Sequence, residues 1–557
     1  MTTASTTRET KPWLVLMTLC LGFFMIMLDT TIVNIALPSM LDGLHLSLDQ
    51  SLWVVNAYLM AYAMLLITAG RLGDIFGPRN LFVAGLVLFT ISSIACGLAD
   101  NAWQIITARA VQGVGGALLT PQTLAIIAAV FPRERRGAAM GVWSAVVGLA
   151  TVAGPTVGGV LVNDASWRWI FYVNVPIGVI ALVGTYLYVP DLRPGRSHRF
   201  DLVGVALASA ALFLLVFGLV EGQRYDWGEF RGGITIPMVL IAGAALLAAF
   251  IAWEFRPKEP LLPLKLFRIR NFSLMNAVQC FIAFGMLGIY LPVVLVLQSV
   301  LGMSALRAGL TLAPWSVATM FTAPVAGRLA DKHGGKYVLM AGMALFGLGL
   351  GLMITAVHTD ATLTSFLLPG IIAGAGLGFS LAPLTAEAMR DVPMEQAGAA
   401  SGMLNAMRQL GGLLGTAVVG SVLQNQLSDK LRDEALTRSG GVPADARTPF
   451  VDAFNNAADH GLQVAPGSNG GVKLPAGATP QDTASIKQVA HDVFTHGFVN
   501  AAKPTIAVPT AVVFAGVLFV LGMARRKPAP APAAPDAKPD AATGRAPVAR
   551  AAESTSS

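Results

Sequence analysis

The sequence predicts an all-α integral membrane protein with fourteen transmembrane helices. Three observations carry that reading. Hydrophobic residues make up 54% of the 557-residue chain and charged residues 12%, against roughly 45–50% and 25% in an average soluble domain. Apolar runs of about 20 residues, the length that crosses a hydrocarbon core, recur along nearly the whole chain. Basic residues cluster on alternate loops: Arg8, Lys11, Arg71, Arg79, Arg133, Arg135 and Arg136 begin a series on the side of the amino-terminal tail, whereas the six short loops opposite carry only Arg168, Arg224 and Arg231. The positive-inside rule then places both termini in the cytoplasm.

In chain order, residues 1–12 read as a cytoplasmic tail. Residues 13–189 hold six spans, at 13–38, 52–70, 80–98, 102–126, 138–161 and 170–189. Residues 190–271 carry an inserted pair, 202–220 and 233–253, with cytoplasmic linkers. Residues 272–524 hold six more spans, at 272–297, 306–327, 337–357, 363–385, 397–424 and 504–524, with a long outer loop at 425–503. Residues 525–557, rich in Ala and Pro, read as a disordered cytoplasmic tail. The outer loop opens on the charged helical continuation "LSDKLRDEALTR" and ends on "SIKQVAHDVFTHGF", where Ile486, Val489, Val493 and Phe494 share one helical face and predict an amphipathic outer cap. His491 and His496 then fall on its polar face. Cys20, Cys96 and Cys280 lie in apolar runs, so neither a disulfide framework nor a metal site is expected. The first run is too long for a cleavable signal peptide and lacks a small-residue cleavage site.

The division into sets of six follows from an internal repeat. "GRLGDIFGPR" at 70–79 and "GRLADKHGGK" at 327–336 each link one span to the next through a short loop on the cytoplasmic side. Parallel six-helix halves with a substrate site between them are one transporter plan, and rocking of one half against the other gives alternating access. Gly70 and Gly327 allow close helix approach. Asp74 beside Arg71 and Arg79, and Asp331 beside Arg328 and Lys336, form charge clusters suited to a contact made in one conformation and lost in another, with Gly77 and Gly334 completing each motif. The alternative is that the basic residues fix topology and the aspartates only cap the following helix.

Charges inside the spans point to a pathway. Asp29 lies in "FFMIMLDTTIVNIALP", which also holds Asn34, and an ionised carboxylate there costs at least a few kcal/mol. On the fourth span Arg109, Gln112, Gly113, Gly116, Thr120 and Thr123 form one polar, small-residue stripe at the helical period. Counted from their outer ends, Asp29 and Arg109 both lie about 10–14 Å deep, so they can meet. The thirteenth span repeats the theme: Asn405, Arg408, Gln409, Gly412 and Thr416 share an arc, with Arg408 about 18 Å from the cytoplasmic end. No carboxylate stands at that depth in the second set, and a carbonyl, helix dipoles or an anionic substrate group are the open partners of Arg408. The alternative for each charge is a structural pair or a snorkelling group. In "GLATVAGPTVGG" at 148–159, Gly154, Pro155, Gly158 and Gly159 predict a kinked, closely packed helix.

Together these stretches resemble the major facilitator superfamily over nearly all of the membrane part. "GRLGDIFGPR" resembles the family's signature loop between helices 2 and 3, and "RAVQGVGGA" at 109–117 its helix-4 arginine motif. "AGPTVGG" at 153–159 is similar to the helix-5 motif of exporters, with Ala150 where glycine is more usual. "LDTTIVNIALP" at 28–38 and "WRWIFYVNVPIG" at 167–178, with the inserted pair, look like the fourteen-helix drug:proton antiporter branch of the EmrB/QacA type. The resemblance implies export of amphipathic, often cationic, drugs or antibiotics in exchange for protons across a bacterial cytoplasmic membrane. It also implies a place for Asp29 and Arg109 in the proton or substrate pathway and for Asp74 in a cytoplasmic gate.

A carboxylate in a partly dry cavity, with its pKa raised by desolvation and lowered by a nearby arginine, can exchange a proton as the cavity alternates sides. Mutual exclusion of proton and drug would then give coupling without covalent chemistry, so no enzyme activity is expected. No Walker-type loop appears, and the proton motive force replaces any cofactor. The expected partners are an amphipathic small molecule, protons and membrane lipids, with an accessory efflux protein an open option and no nucleic acid. A monomer is expected to function. A dedicated exporter of one natural product, lipid or metabolite, and a non-transporting sensor acting through the outer loop, are the alternatives.

Overall fold

In the computed structural model the described residues are 11–523, apart from 47, 193–200, 223, 226, 258–259, 304 and 460–479. The two terminal tails and the middle of the predicted outer loop therefore lie outside the described residues. Helices occupy all fourteen predicted positions: α1 (Pro12–Gly43), α2 (Leu48–Phe76), α3 (Pro78–Gly97), α4 (Ala102–Val130), α5 (Arg136–Asp164), α6 (Trp169–Tyr172) with α7 (Asn174–Tyr188), α8 (Leu202–Glu221), α9 (Ile236–Glu254), α10 (Arg270–Gly288) with α11 (Tyr290–Leu295), α12 (Ala305–His333), α13 (Gly335–Ala356), α14 (Leu363–Ala388), α15 (Ala397–Arg438) and α17 (Pro480–Leu521). A short α16 (Arg447–Asp459) lies between the last two. Among the described residues 12 helices are long and apolar enough to cross a membrane. The predicted spans at 138–161 and 306–327, now α5 and α12, are not among them. Only Arg136–Ala150 of α5 counts as apolar helix, and α12 carries Arg307, Arg328, Asp331 and Lys332 with little apolar excess. These two helices pack extensively against each other.

Prolines explain two departures from continuous helix. The sixth breaks at Val173, between α6 and α7, and Pro176 follows on the first turn of α7. The ninth breaks at Ile289, between α10 and α11, and Pro292 follows in the same way before a π-helical turn at Val296–Val300. In each case the proline has no N–H to donate, so the hydrogen-bond ladder is interrupted there, while Val173 and Ile289 keep helical backbone angles and each segment runs on as one span. The outer segment departs further. Residues 425–438 and 480–503 are not loop but direct extensions of α15 and α17, each a 42-residue helix of about 63 Å. Leu427, Leu431 and Ala435 keep the apolar period going, and Glu434 pairs with Arg438 one turn on. Ile486, Val493 and Phe494 are buried as the helical face predicts, together with Phe450 and Phe454 of α16, while His491 is exposed. The eighth span starts later than predicted because residues 229–235 form a hairpin, β1 (Glu229–Arg231) with β2 (Ile234–Thr235), turned by Gly232 and Gly233 at positive φ.

Helix pairs are stitched by glycine. A Cβ on Gly349 of α13 would lie 2.3 Å from the Ala373 nitrogen of α14, so two backbones meet where only glycine fits. The inserted helices α8 and α9 pack on each other, and α8 packs on α2, where Asn56 donates to Glu221 at 3.2 Å. Replacing Gly349 by Leu is expected to leave little folded protein in detergent. Phe450→Ala should destabilise the outer helical cap by about 3–5 kcal/mol, read as faster amide exchange in 427–438 with the membrane core unchanged.

Candidate functional site

Two clusters emerge, one buried within the first set of helices and one where the repeated loops meet the opposite set. The first centres on Asp29, which is 0% exposed, and Arg109, which is 1% exposed. The Arg109 Nη1 donates to Asp29 Oδ2 at 2.6 Å and to Gln112 Oε1 at 2.7 Å, and its Nε donates to the Val54 carbonyl at 3.1 Å. The Gln112 amide donates to Asp29 Oδ1 at 2.9 Å and the Asn174 amide to the same oxygen at 3.2 Å. The guanidinium stacks 4.3 Å from the Tyr58 ring centroid, an arrangement that gains as water is excluded. Every charge in this cluster has its partner and both carboxylate oxygens have donors, which is the condition for holding ionised groups away from water.

Local sequence explains the assembly. Arg109 and Gln112 are one turn apart on α4 and therefore share a face. Gly113 brings that face onto α2: a Cβ there would lie 2.4 Å from the Tyr58 carbonyl oxygen. The polar stripe thus faces a helix neighbour, and Thr120 further along it accepts from the Tyr62 hydroxyl at 3.1 Å. Asn174 and Ser93 were not singled out by sequence reading. Asn174 stands at the α6–α7 break, where it bridges Asp29 to Ser93 Oγ at 3.1 Å, and its signal was present in "WRWIFYVNVPIG" as a polar residue in an apolar run. Asn34 does not join. It is exposed and donates to Thr30 of its own helix, because five residues past Asp29 turn it well off the Asp29 face.

The second arc, on α15, is not drawn into this network. Asn405 is buried and donates to Ser401 of its own helix, Arg408 and Gln409 are half-buried, and Thr416 donates to Leu413. The Arg408 guanidinium reaches across to α1, 6.0 Å from the Phe23 ring, and Phe23 itself stacks on Trp143 of α5. On α5, Gly154 and Gly158 face α1: a Cβ would lie 2.1 Å from Thr31 Oγ1 and 2.7 Å from Ile32. Gly159 faces open space. The helix assignment is continuous through Pro155.

The repeated loops make equivalent contacts. Asp74 accepts from the N–H groups of Gly398 and Ala399 at 2.8 and 2.9 Å, on the second and third positions of α15. Asp331 accepts from Gly137 and Ala138 at 2.9 and 2.8 Å, on the second and third positions of α5. Each aspartate therefore caps a helix of the opposite set, where the helix dipole favours an anion. The aspartates act as helix caps, but not on the helices expected. The capped helices are not those that follow each loop, since α3 and α13 start on Gly77 and Gly334, at φ +89° and +90°, without side-chain caps. The neighbouring cations turn elsewhere: Arg79 donates to the Tyr186 carbonyl, Lys336 to the carbonyls of Leu521 and Met523 at the end of α17, and Arg328 is exposed. Arg71 is buried and faces a cavity beside α9. Backbone contact makes the caps reachable, for a Cβ on Gly70 would lie 2.2 Å from the Gly398 oxygen and one on Gly327 2.0 Å from the Gly137 oxygen. The two sets of helices are closed against each other at this end.

All three cysteines are free, and no His, Cys, Asp or Glu group suited to a metal ion occurs among the described residues.

The family model described as Major Facilitator Superfamily matches residues 19–416. The tetracenomycin C resistance and export protein of Streptomyces glaucescens is 35% identical over 509 residues, covering 91% of each chain. The multidrug resistance protein Stp of Mycobacterium tuberculosis is 37% identical, covering 74% of this chain and 76% of its own. Among solved structures, the proton:xylose symporter XylE aligns with a TM-score of 0.53 at 17% identity over 73% of this chain and 88% of its own. The human organic anion transporter MFSD10 aligns at 0.55 and 11% over 91% of this chain and 100% of its own. These two show the fold. With its multiple apolar helices, its fold and the family match over most of its length, the chain belongs to the Major Facilitator Superfamily, a family of membrane transporters and not of enzymes.

Proposed function

We propose that this protein is a proton-coupled efflux antiporter of the fourteen-helix branch, exporting amphipathic drugs or antibiotics across a bacterial cytoplasmic membrane with both termini inside. The buried Asp29–Arg109 pair carries the reading. A fully enclosed ion pair repays its desolvation only with every partner in place, and removing one partner costs about 3–5 kcal/mol, so a change of charge on Asp29 acts strongly on Arg109. Protonation of Asp29 is the natural way to release Arg109 during the cycle. The relatives, among them a tetracenomycin C resistance and export protein, a multidrug resistance protein and a methylenomycin A resistance protein, support export of natural products and drugs. The fourteen helices, the basic loops and the inserted pair support the branch and the orientation. Asn174 joins Asp29, Arg109 and Gln112 in the pathway, while Asp74 and Asp331 with their glycines form the cytoplasmic gate: the caps hold that end shut in the outward-facing state and part in the inward-facing one.

On charge class, the geometry favours neutral or acidic amphiphiles over the cations that the resemblance implies. Asp29 has no unengaged oxygen, and Arg408 borders the contact between the two sets with an aromatic ring beside it. A cationic drug there would meet an arginine.

In inside-out vesicles with an acidic lumen, adding tetracenomycin C or another aromatic natural product is expected to dissipate the proton gradient. Asp29→Asn should reduce the response at least tenfold, and Asp29→Glu should retain part of it. A response equal to wild type in Asp29→Asn at matched protein levels would sink the proton assignment. Arg408→Gln should weaken transport of acidic compounds more than of neutral ones.

For the gate, spin labels at exposed Glu134 and Lys332 should report one short distance in wild type. A population at longer distance is expected in the Asp74→Ala, Asp331→Ala double variant. An unchanged distribution would remove both aspartates from the gate.

A further inference from the structure

A cavity of about 980 Å³ lies beside the Asp74 gate, between α2, the inserted helices α8 and α9, the segment that follows α9, and α15. Its size matches that of small-molecule sites. It has two kinds of wall. Leu212, Leu247, Phe250 and Met407 line an apolar side. That side continues through Ile251 and Phe255, 43% and 76% exposed, onto the outer surface of α9. The other side is polar: Arg71 and Glu254 at depth, with Lys265, Arg268 and Glu395 exposed around it.

Two buried polar atoms on that side lack partners. Arg71 is 6% exposed and its Nε has no acceptor. Glu254 is 3% exposed; its Oε2 accepts from the Leu262 N–H at 2.9 Å, but its Oε1 has no donor. Orphaned buried groups are costly and call for a partner, and here two of opposite charge face the same cavity. A matching ligand offers an acceptor to Arg71 and a donor to Glu254. Three cations against two carboxylates favour a net negative charge. The apolar wall opening sideways onto α9 calls for a hydrocarbon chain.

We propose that this cavity binds one phosphatidylglycerol molecule of the inner leaflet. Its phosphate accepts from Arg71, Lys265 and Arg268. A hydroxyl of its glycerol headgroup donates to Glu254 Oε1. One acyl chain runs along the apolar wall and leaves over Ile251 and Phe255. Basic pockets between transmembrane helices on the cytoplasmic side are a known form of anionic-lipid recognition. The leaflet assignment rests on the orientation proposed above, whereas the binding chemistry does not depend on transport. Because Arg71 lies three residues from Asp74 on α2, an occupied cavity holds the inserted pair against the helix that carries the gate aspartate.

Native mass spectrometry of the full chain, mixed with equimolar phosphatidylglycerol, phosphatidylethanolamine and phosphatidylcholine, tests this without a transport readout. One phosphatidylglycerol should be retained, at least tenfold above either other lipid. Lys265→Glu with Arg268→Glu should abolish the preference. Met407→Trp, which fills the apolar side, should lower retention of all three. Glycerol phosphate lacking acyl chains should not displace the bound lipid. Equal retention of the three lipids, a preference that survives the double charge reversal, or displacement by glycerol phosphate would each overturn the proposal. So would displacement by an exported drug, which would make the cavity a substrate vestibule. Lipid retention as expected together with failure of the vesicle assay would discard the antiporter reading and leave this site standing.

Discussion

In an apolar slab a charged group has no water to fall back on, and the central ones in this protein are held by distant parts of the chain. The pair of Asp29 and Arg109 is the strongest case: the ionised groups stay buried because Gln112, Asn174, the Val54 carbonyl and the Tyr58 ring complete their shells. That single requirement draws α1, α2, α4 and α7 to one point. The same requirement at the helix ends places Asp74 and Asp331 on N–H groups that would otherwise be orphaned.

The two solutions differ in what they allow. The Asp29 cluster lies inside one set of helices and is closed on all sides, so opening it changes the set itself. The aspartate caps lie between the sets, on glycine-paved crossings with little side-chain interlock. A few hydrogen bonds and a dipole hold each of them, which suits a contact that forms and parts as rigid bodies rock.

Much of this was legible from residue types and spacing. The helix positions follow from the lengths of apolar runs, the repeat from two matching loop motifs and the amphipathic face at 486–494 from helical period, while counting depths made a meeting of Asp29 with Arg109 possible. Less was legible where two segments far apart in the chain choose each other. Asn174 gave only a weak signal as one amide in an apolar run. Asn34 looked equivalent to Asp29 by composition but points elsewhere by phase. Arg79 and Lys336 stood beside the aspartates in sequence, yet nearby backbone carbonyls took them instead.

By itself the sequence determined that the chain is a bundle of apolar helices, built twice over, with ionisable groups embedded at set depths. Period, length and charge asymmetry are local properties that each segment carries alone. Only the tertiary structure decided which helix each aspartate caps, that residues 480–503 run on unbroken into the last long helix, and that Arg71 and Glu254 face a shared cavity. Those outcomes depend on which backbones approach within a glycine's reach of one another, and that is settled by packing across hundreds of residues, not by any single stretch.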